Sequence, residues 1–308
     1  MYLNHVIESQ QFDKEMLETL FAIAVEMEKY SHEDKVLHNM IMASLFYEPS
    51  TRTRMSFEAA MIRLGGTVIS TESASHFSSA SKGETLEDTI RIISAYSDVI
   101  VLRHYESGAS KKASSVSRVP IINAGDGAGQ HPTQALLDLY TIKKELGKID
   151  GTSIAMVGDL YYGRTVRSLC YLLAKYSNIK IYFVSPKLVR MRDDIKDYLD
   201  RHDVKWEESY NLHSVASEVD VIYQTRIQRE RFGDKQDDYK KIKGIYVVDK
   251  ELMKSVKKDA IIMHPLPRVD EITPDVDEDP RAAYFRQAEN GLYVRMALLK
   301  AVLFKDNE

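Results

Sequence analysis

The sequence has 308 residues, a length that exceeds one ordinary core and fits two domains. A hydrophobic share of 44% and a charged share of 29% are normal for a globular protein. The formal net charge of -4 lacks the basic surplus of nucleic-acid-binding proteins, so we expect no nucleic-acid partner. The single cysteine excludes an internal disulfide and favours a reducing compartment.

Neither a secretion signal nor a membrane span is predicted. Residues 1–11 lack the basic region and the apolar block of a signal peptide. No run approaches the roughly 18 uninterrupted apolar residues that cross a bilayer. We therefore expect a cytoplasmic protein without membrane association. Cys170 lies in an apolar run, which favours a buried, inert thiol over a nucleophile.

The first half of the chain alternates short apolar runs, polar loops and helical patterns. Apolar residues at helical spacing predict an opening amphipathic helix over residues 12–30. A second helix stops at Gly65 and Gly66, and a third covers residues 133–146. The apolar runs that we interpret as strands in this half are residues 41–46, 99–102 and 119–122.

The same rhythm restarts in the second half. Buried parallel strands, with helical patterns between them, are predicted at residues 154–157, 181–184, 219–223 and 260–263. The predicted fold class is α/β, with two doubly wound parallel-sheet domains linked by interdomain helices. We place the domains at residues 1–147 and 148–287, and we expect a C-terminal helix over residues 288–305 to pack back on the first domain.

Polar clusters follow several predicted strands, where ligands bind in open α/β sheets. The first cluster, residues 50–54, combines hydroxyl side chains, two arginines and the N–H groups of a starting helix. A helix N-terminus attracts anions, and the arginine fork matches phosphate oxygens in a bidentate way. We interpret residues 50–54 as an anion site, although a Ser-Thr-Arg segment alone is also typical of an ordinary helix cap.

Two further clusters contain histidine and proline. Residues 131–134, His-Pro-Thr-Gln, begin a predicted helix after a glycine-rich loop, and a histidine there suits polarisation of a carbonyl group. Alone, such a histidine is more often a structural cap. Residues 264–268 follow a predicted strand, and their two prolines direct backbone carbonyls that can accept from an amide. A plain rigid loop has the same pattern.

Arg164 and Arg226 follow predicted strands of the second half and together suit another anion, whereas each alone also fits a surface arginine. Residues 158–164 lack the G-x-G-x-x-G spacing and the later acid of a dinucleotide loop, so we reject a nicotinamide cofactor. The sequence shows no metal-ligand spacing and no paired-carboxylate, G-x-S-x-G or Walker signature. We expect no metal and no cofactor.

The clusters together resemble the aspartate/ornithine carbamoyltransferase family. Residues 46–54 resemble its carbamoyl-phosphate signature, and residues 131–134 and 264–268 match two further motifs in the right order and spacing. Residues 81–85, Ser-Lys-Gly-Glu-Thr, resemble the mobile loop that members insert into the neighbouring subunit's site. The similarity spans nearly the whole chain, and four ordered motifs are highly specific.

The motifs also indicate the second substrate. Ornithine enzymes typically carry His-Cys-Leu-Pro, whereas this chain has Pro265 in place of the cysteine. Arg164, Arg226 and Lys82 suit a dianion, so aspartate fits and ornithine would be repelled. The resemblance implies transfer of the carbamoyl group of carbamoyl phosphate to L-aspartate, giving N-carbamoyl-L-aspartate and phosphate in de novo pyrimidine biosynthesis.

The resemblance assigns roles to individual residues. The implied catalytic residues are Arg52, Thr53, Arg103 and His131. The implied carbamoyl-phosphate ligands are Ser50, Thr51, Arg52, Thr53, Arg103, His131, Gln134, Pro265, Leu266, Pro267 and Ser78, with Ser79 and Ser81 close to the aligned position of Ser78. The implied aspartate ligands are Arg164, Arg226, Gln228 and, from an adjacent chain, Lys82.

A site that contains Lys82 from another subunit requires an oligomer. The resemblance implies a homotrimer with shared active sites. It also makes regulatory chains in a larger assembly a candidate further partner. Three alternatives stay open: a transcarbamoylase for another acceptor, a ligand-binding paralogue without catalysis, and a dinucleotide-dependent oxidoreductase. The implied catalytic residues are all present, which disfavours the second, and the missing glycine fingerprint disfavours the third.

Overall fold

The computed structural model describes residues 1–31, 34–72, 83–227 and 236–304, without the side chains of Gln236 and Asp238. The chain packs as two compact units. The first unit comprises Met1–Leu137 and Glu289–Glu308, and the second comprises Asp138–Ala288.

A parallel sheet forms the centre of the first unit. Its strands are β1 (Ile41–Phe46), β2 (Thr67–Glu72), β3 (Val99–His104) and β4 (Ile121–Asp126). They form a four-stranded sheet in the order β2-β1-β3-β4. The helices described up to this unit's end are α1 (Lys14–Glu28), α2 (Thr51–Arg63), α3 (Leu86–Ile93), α4 (Ala109–Ser114) and the start of α5 (Pro132–Leu146).

Burial explains why β1 and α2 form where they do. β1 pairs with β2 on one side and β3 on the other, and its unbroken apolar run is typical of a central parallel strand. Helix α2 buries Phe57, Ala60 and Met61 on one face. It ends before Gly65, which takes φ +87, and a Cβ at this position would lie 2.7 Å from the Cβ of Lys35.

The second unit is built around a larger parallel sheet. Its strands are β5 (Ser153–Val157), β6 (Lys180–Val184), β7 (Lys205–Ser209), β8 (Val221–Gln224) and β9 (Ile261–Met263). They form a five-stranded sheet in the order β7-β6-β5-β8-β9. The described helices that follow α5 are α6 (Arg164–Leu173), α7 (Asp193–Asp200), α8 (Leu212–Ala216), α9 (Gln236–Ile242), α10 (Lys250–Ser255) and α11 (Tyr284–Leu303).

The prediction of an α/β chain with two parallel sheets is confirmed. Each predicted strand overlaps an observed one, although β4 extends to Asp126, beyond the predicted residues 119–122. The prediction omits β2 and β7, because both are edge strands whose side chains are largely exposed and polar. Helix α11 begins at Tyr284, earlier than the predicted residue 288.

Two helices contribute residues to both units. The unit boundaries fall inside α5, between Leu137 and Asp138, and inside α11, between Ala288 and Glu289. The division into domains at residues 147 and 287 stays a prediction. In the described part of the chain, no helix has the length and apolar character needed to cross a membrane.

The cysteine lies in the core of the second unit. Cys170 on α6 is fully buried, and its Sγ lies 3.6 Å from the Sδ of Met156. Burial raises the pKa of the thiol far above its ordinary value. The prediction of a buried thiol is therefore confirmed, and the thiolate that a nucleophile needs is disfavoured.

Candidate active site

Three strand ends meet at the carboxyl edge of the first sheet. Phe46 at the end of β1 pairs with Arg103 on β3, and the N–H of Tyr47 donates to the Arg103 carbonyl at 2.9 Å. On the other side of β3, the N–H of Gly127, just after β4, donates to the His104 carbonyl at 2.8 Å. The loops after β1 and β4 therefore flank Arg103, where the open-sheet rule predicts a ligand.

Helix α2 presents its N-terminus at this edge. Its N-cap, Ser50, has extended backbone with φ -161, and among the described residues its side chain makes no capping hydrogen bond. Thr51 and Arg52 are exposed, whereas Thr53 is 7% exposed. The first turn thus offers its N–H groups, three hydroxyls and a guanidinium to an anion. Although its side chain is exposed, partial desolvation lowers the pKa of Arg52.

Arg54, the last residue of the predicted anion site, is paired with two carboxylates. Its Nη2 lies 3.1 Å from Oε2 of Glu72 at the end of β2, and its Nε lies 3.9 Å from Glu58. Glu58 in turn accepts from Ser44 Oγ at 3.1 Å and Ser70 Oγ at 2.6 Å. Arg54 therefore fastens α2 to β1 and β2.

Arg103 points into the loop after β1. Its Nη2 lies 3.0 Å from Oε2 of Glu48, and its side chain is 12% exposed. Its Nη1 also donates to the Ala124 carbonyl at 3.4 Å. The carboxylate of Glu48, which the sequence analysis assigned no role, holds a guanidinium that the family resemblance assigns to substrate.

The loop before His131 is fixed by Asp126. Its Oδ1 accepts from the Gln130 N–H at 2.8 Å, and its Oδ2 accepts from the Gly108 N–H at 3.0 Å. Gly127 in this loop takes φ +50, and a Cβ there would lie 2.4 Å from the Tyr105 carbonyl oxygen. Glycine is therefore required for this close approach.

His131 and Gln134 lie at the start of α5. His131 is 4% exposed and Gln134 is 9% exposed. The Nδ1 of His131 lies 3.3 Å from Thr133 Oγ1, and the Gln134 N–H donates to the His131 carbonyl at 3.0 Å. We name the predicted site residues of the first unit the phosphate cluster: Ser50, Thr51, Arg52, Thr53, Arg103, His131 and Gln134.

The second unit places its predicted arginines at the ends of β5 and β8. Arg226 follows β8, and Arg164 is the first residue of α6, whose N-terminal dipole also favours an anion. Gly158, directly after β5, takes φ +111, and a Cβ there would lie 2.4 Å from the Thr225 carbonyl oxygen. The loop that leads to Arg164 therefore packs directly against the residue before Arg226.

A cavity of about 260 Å³ lies inside the second unit beside Arg226. Its lining includes Tyr239, Lys243, Asp270 and Glu271. Lys243 Nζ lies 3.3 Å from Asp270 Oδ2, so part of the wall is already neutralised. Arg226 contributes a guanidinium to the same wall, and a guanidinium suits a carboxylate.

Residues 264–268, which we name the proline turn, are held by a buried hydrogen bond between His264 and Glu271. His264, 2% exposed, accepts at Nδ1 from the Leu266 N–H at 2.7 Å, so we assign its proton to Nε2, which lies 2.8 Å from Glu271 Oε1. Burial alone would raise the pKa of Glu271, but hydrogen bonds from His264 and backbone N–H groups outweigh it and lower that pKa.

The backbone of the proline turn is unusual at its centre. Leu266 takes φ +54, and the peptide bond from Leu266 to Pro267 is cis. Arg268 is bound by Asp277 and by the hydroxyl of Tyr284, so it belongs to the framework of the turn. The carbonyls of Pro265 and Leu266 are thus carried on a backbone that side chains fix on both flanks.

Three predicted site residues, Ser78, Lys82 and Gln228, lie outside the described residues, as do Ser79 and Ser81. Glu48, Asp126 and Glu271 were not predicted as site residues, because their roles depend on partners elsewhere in the chain. The position of Glu48 just after a strand and that of Asp126 at a glycine-rich loop could have indicated these two, whereas no local pattern marks Glu271. In the part of the chain that the structure describes, no group of three or more His, Cys, Asp or Glu side chains could hold a metal ion.

Family models match both halves of the chain. The carbamoyl-phosphate-binding domain of aspartate/ornithine carbamoyltransferase matches residues 4–144, and the aspartate/ornithine-binding domain of the same family matches residues 150–302. The chain belongs to the aspartate/ornithine carbamoyltransferase family.

Relatives of high identity are aspartate carbamoyltransferases. A chloroplastic aspartate carbamoyltransferase of Arabidopsis thaliana is 64% identical over 304 residues, 98% of this chain and 78% of the relative. The catalytic subunit of aspartate transcarbamoylase from Methanocaldococcus jannaschii has a solved structure with a TM-score of 0.91 at 51% identity, covering 99% of both chains. Aspartate transcarbamoylase from Trypanosoma cruzi, solved with carbamoyl phosphate and aspartate, gives a TM-score of 0.92 at 41% identity and covers 98% of both chains.

Proposed function

We propose that this chain transfers the carbamoyl group of carbamoyl phosphate to the amino group of L-aspartate. The products are N-carbamoyl-L-aspartate and phosphate, in de novo pyrimidine biosynthesis. The observation that carries the proposal is the phosphate cluster, where the exposed N-terminus of α2 lies at the same sheet edge as Arg103. The solved T. cruzi relative binds both substrates of this reaction.

The phosphate cluster binds carbamoyl phosphate. Ser50, Thr51, Arg52 and Thr53 hold the phosphate oxygens at the positive end of the α2 dipole. Arg103 spans the phosphate and the carbonyl oxygen, and binding of substrate replaces its contact with Glu48. Gln134 and the carbonyls of the proline turn, from Pro265 and Leu266, hold the carbamoyl NH2 group.

The second substrate binds through cations of the second unit. Arg164 and Arg226 meet the carboxylates of aspartate, with Gln228 beside them and Lys82 supplied by a neighbouring chain. A planar guanidinium matches a carboxylate in a bidentate way, which distinguishes a dianionic acceptor from a cationic one. Pro267 completes the turn that carries the carbonyls, and Ser78 joins the phosphate ligands from the same loop as Lys82.

The chemistry needs positioning and charge stabilisation. Attack of the aspartate amine on the carbonyl carbon forms a C–N bond and places negative charge on the carbonyl oxygen. Thr53, Arg103 and His131 donate to that oxygen. Collapse of the tetrahedral intermediate breaks the bond from carbon to the phosphate oxygen, and the departing phosphate takes the amine proton. Carbamoyl phosphate is already activated, so the step requires no covalent intermediate on the enzyme.

A steady-state assay tests the proposal. The purified chain is given carbamoyl phosphate with L-aspartate, L-ornithine or other amino acids, and carbamoylated product and phosphate are measured. We expect product with aspartate only, and its loss in Arg52→Ala. Turnover of ornithine in preference to aspartate, or no turnover of any acceptor, would contradict the proposal.

A homotrimer with shared active sites is part of the proposal. Besides the loop that carries Lys82, support comes from apolar side chains that the first unit leaves exposed: Met55 is 58% exposed, Ile62 is 62% exposed and Ile69 is 40% exposed. Mixing inactive Lys82→Ala and Arg52→Ala chains tests the sharing, because hybrid trimers contain some sites with neither defect. No recovery of activity would place each site within one chain.

A cytoplasmic location and regulatory chains also stay proposals. The single cysteine favours a reducing compartment, which cell fractionation with the same activity assay would test. To test for regulatory chains, the untagged protein is purified from its source together with any chains that bind it, and nucleotides are added to the assay. A shifted aspartate saturation curve that disappears when co-purifying chains are removed would support them.

A further inference from the structure

A buried carboxylate in the second unit connects the segments that carry the predicted substrate-binding groups of this unit. Asp138 on α5 is 0% exposed. Its Oδ2 accepts a 2.6 Å hydrogen bond from the Tyr223 hydroxyl, and its Oδ1 accepts a 2.6 Å bond from Nε2 of Gln287. Both donors are buried as well, so water does not compete for these bonds.

Neighbouring contacts fix the direction of each hydrogen bond. Gln287 Oε1 accepts from the His264 N–H at 2.9 Å, which turns the NH2 group of Gln287 toward Asp138. Burial and the charge of Asp138 raise the pKa of Tyr223 well above its ordinary value, so its phenol stays protonated. The Thr165 side chain also hydrogen-bonds this phenol. Asp138 therefore accepts at both oxygens, as an ionised carboxylate does.

The network reaches three different ligand-bearing segments. Thr165 follows Arg164 at the start of α6. Tyr223 lies on β8, which leads to Arg226. The His264 N–H, bonded to Gln287, begins the proline turn. A single carboxylate is thus linked, through two buried donors, to the segments that carry the two predicted aspartate-binding arginines and the predicted carbonyl ligands.

We propose that Asp138 is a positioning residue for the second substrate, a role that rests on the function proposed above. Its carboxylate holds α6, β8 and the proline turn in one arrangement, so that the arginines face the carboxylates of aspartate. A misplacement of about 1 Å can cost an enzyme about a hundredfold in rate, so a fixed frame matters even without contact to substrate.

The test compares Tyr223→Phe and Asp138→Asn with the unmodified enzyme. The aspartate KM is measured at saturating carbamoyl phosphate, together with the inhibition constant of inorganic phosphate, which reports on the phosphate cluster. We expect the aspartate KM to rise about tenfold in Tyr223→Phe and further in Asp138→Asn, because a charge-assisted hydrogen bond is lost. The phosphate constant stays unchanged. Tyr182→Phe, which removes a hydroxyl bonded to Glu218 at 2.7 Å in the same sheet, is the matched control and changes neither value.

A double variant separates a network from independent contacts. If the residues act as a unit, Asp138→Asn combined with Tyr223→Phe gives an aspartate KM close to that of the worse single variant, whereas independent effects multiply. An unchanged aspartate KM in both single variants, or a parallel change of the phosphate constant, overturns the positioning role. An unmodified enzyme that does not carbamoylate aspartate overturns the proposed function instead. Should Asp138→Asn fail to fold, Tyr223→Phe decides alone, since it removes a single oxygen atom.

Discussion

The two units build their predicted ligand-binding groups in different ways. In the first unit, four consecutive residues at the N-terminus of α2 supply most of the phosphate cluster. The backbone N–H groups of the same turn supply a positive electrostatic potential that attracts an anion. In the second unit, Arg164 and Arg226 are single side chains from separate segments, and buried pairs such as His264 with Glu271 set the surrounding backbone. The first site is a local motif, whereas the second is an assembled frame.

This difference predicts how each unit responds to substitution. On the proposed function, removing a side chain from the phosphate cluster takes away a direct contact to the reacting group, so turnover should suffer most. Removing a side chain from the frame of the second unit changes where the arginines lie, so affinity for aspartate should suffer first. Transition-state contacts lower turnover when lost, whereas uniform binding contacts raise KM.

The largest effect is expected at Arg103. Arg103→Ala removes a donor to the carbonyl oxygen, which costs about 3 kcal/mol of barrier, or roughly a hundredfold in turnover. It also leaves the Glu48 carboxylate, normally 3.0 Å away, without its guanidinium. His131→Ala should lose a similar factor but less than Arg103→Ala. Steady-state turnover checks both, with the exposed Arg63→Ala on the last turn of α2 as a control that stays active. Near-normal turnover of Arg103→Ala would sink the assignment.

The next effect concerns the arginines of the second unit. Arg226→Ala and Arg164→Ala each remove a charge-assisted contact, which is worth about 1.5–3 kcal/mol and raises the aspartate KM tenfold or more. Inhibition by phosphate should not change in either variant. Arg201→Ala, an exposed arginine after α7 in the same unit, serves as the control. If phosphate inhibition weakened as much as aspartate affinity did, the two units would not bind separate substrates.

Much of the fold was predictable because local patterns agree with tertiary structure. The run at β1 was predicted with its observed bounds, Ile41–Phe46, since a central parallel strand is buried on both faces and reads as continuously apolar. β2 and β7 were missed because an edge strand with polar, exposed residues carries no such signal. Strand pairing and the burial of neighbouring helices hold these segments in place, and neither is visible in a short window of sequence.

The site was predictable to the extent that it is local. The phosphate cluster combines residues with strong chemical preference at one helix start, so its residue types and spacing indicate an anion. The partners that set charge and geometry were not predictable, because Glu48 meets Arg103, and Asp138 meets Tyr223 and Gln287, only through the packed fold. The sequence separation between such partners is large, and nothing local distinguishes these acids from solvated ones.

The buried Glu271 of the second unit should also affect how the free energy of unfolding depends on pH. The pKa of Glu271 in the folded chain lies below its ordinary value of 4.5, so its ionised form stabilises the fold above that pH, and this stabilisation is lost as pH falls through the lowered pKa. Glu271→Gln removes this contribution. We expect the variant to be less stable at neutral pH and to lose less stability below pH 4.5, measured by denaturant unfolding across pH. Glu278→Gln, an exposed neighbour, should match the unmodified chain. If the free energy of unfolding depended on pH in the same way for Glu271→Gln and the unmodified chain, the Glu271 carboxylate would not stabilise the turn.

The smallest effect is expected at Arg54, which stands two positions after Arg52 on α2. Arg54 pairs with Glu72 at 3.1 Å and is partly exposed, so Arg54→Ala should lower the free energy of unfolding by only about 1 kcal/mol. Because Arg54 faces the sheet edge at β2, the inhibition constant for phosphate should stay unchanged. Arg52→Ala should do the reverse, weakening phosphate binding about tenfold through loss of a charged hydrogen bond while leaving stability nearly intact. Phosphate inhibition and denaturant unfolding, measured on both variants, check the contrast. If Arg54→Ala weakened phosphate binding as strongly as Arg52→Ala, the anion site would extend along α2 beyond its first turn. Arg54 would then bind phosphate, and its pairing with Glu72 would not serve mainly to fasten the helix to the sheet.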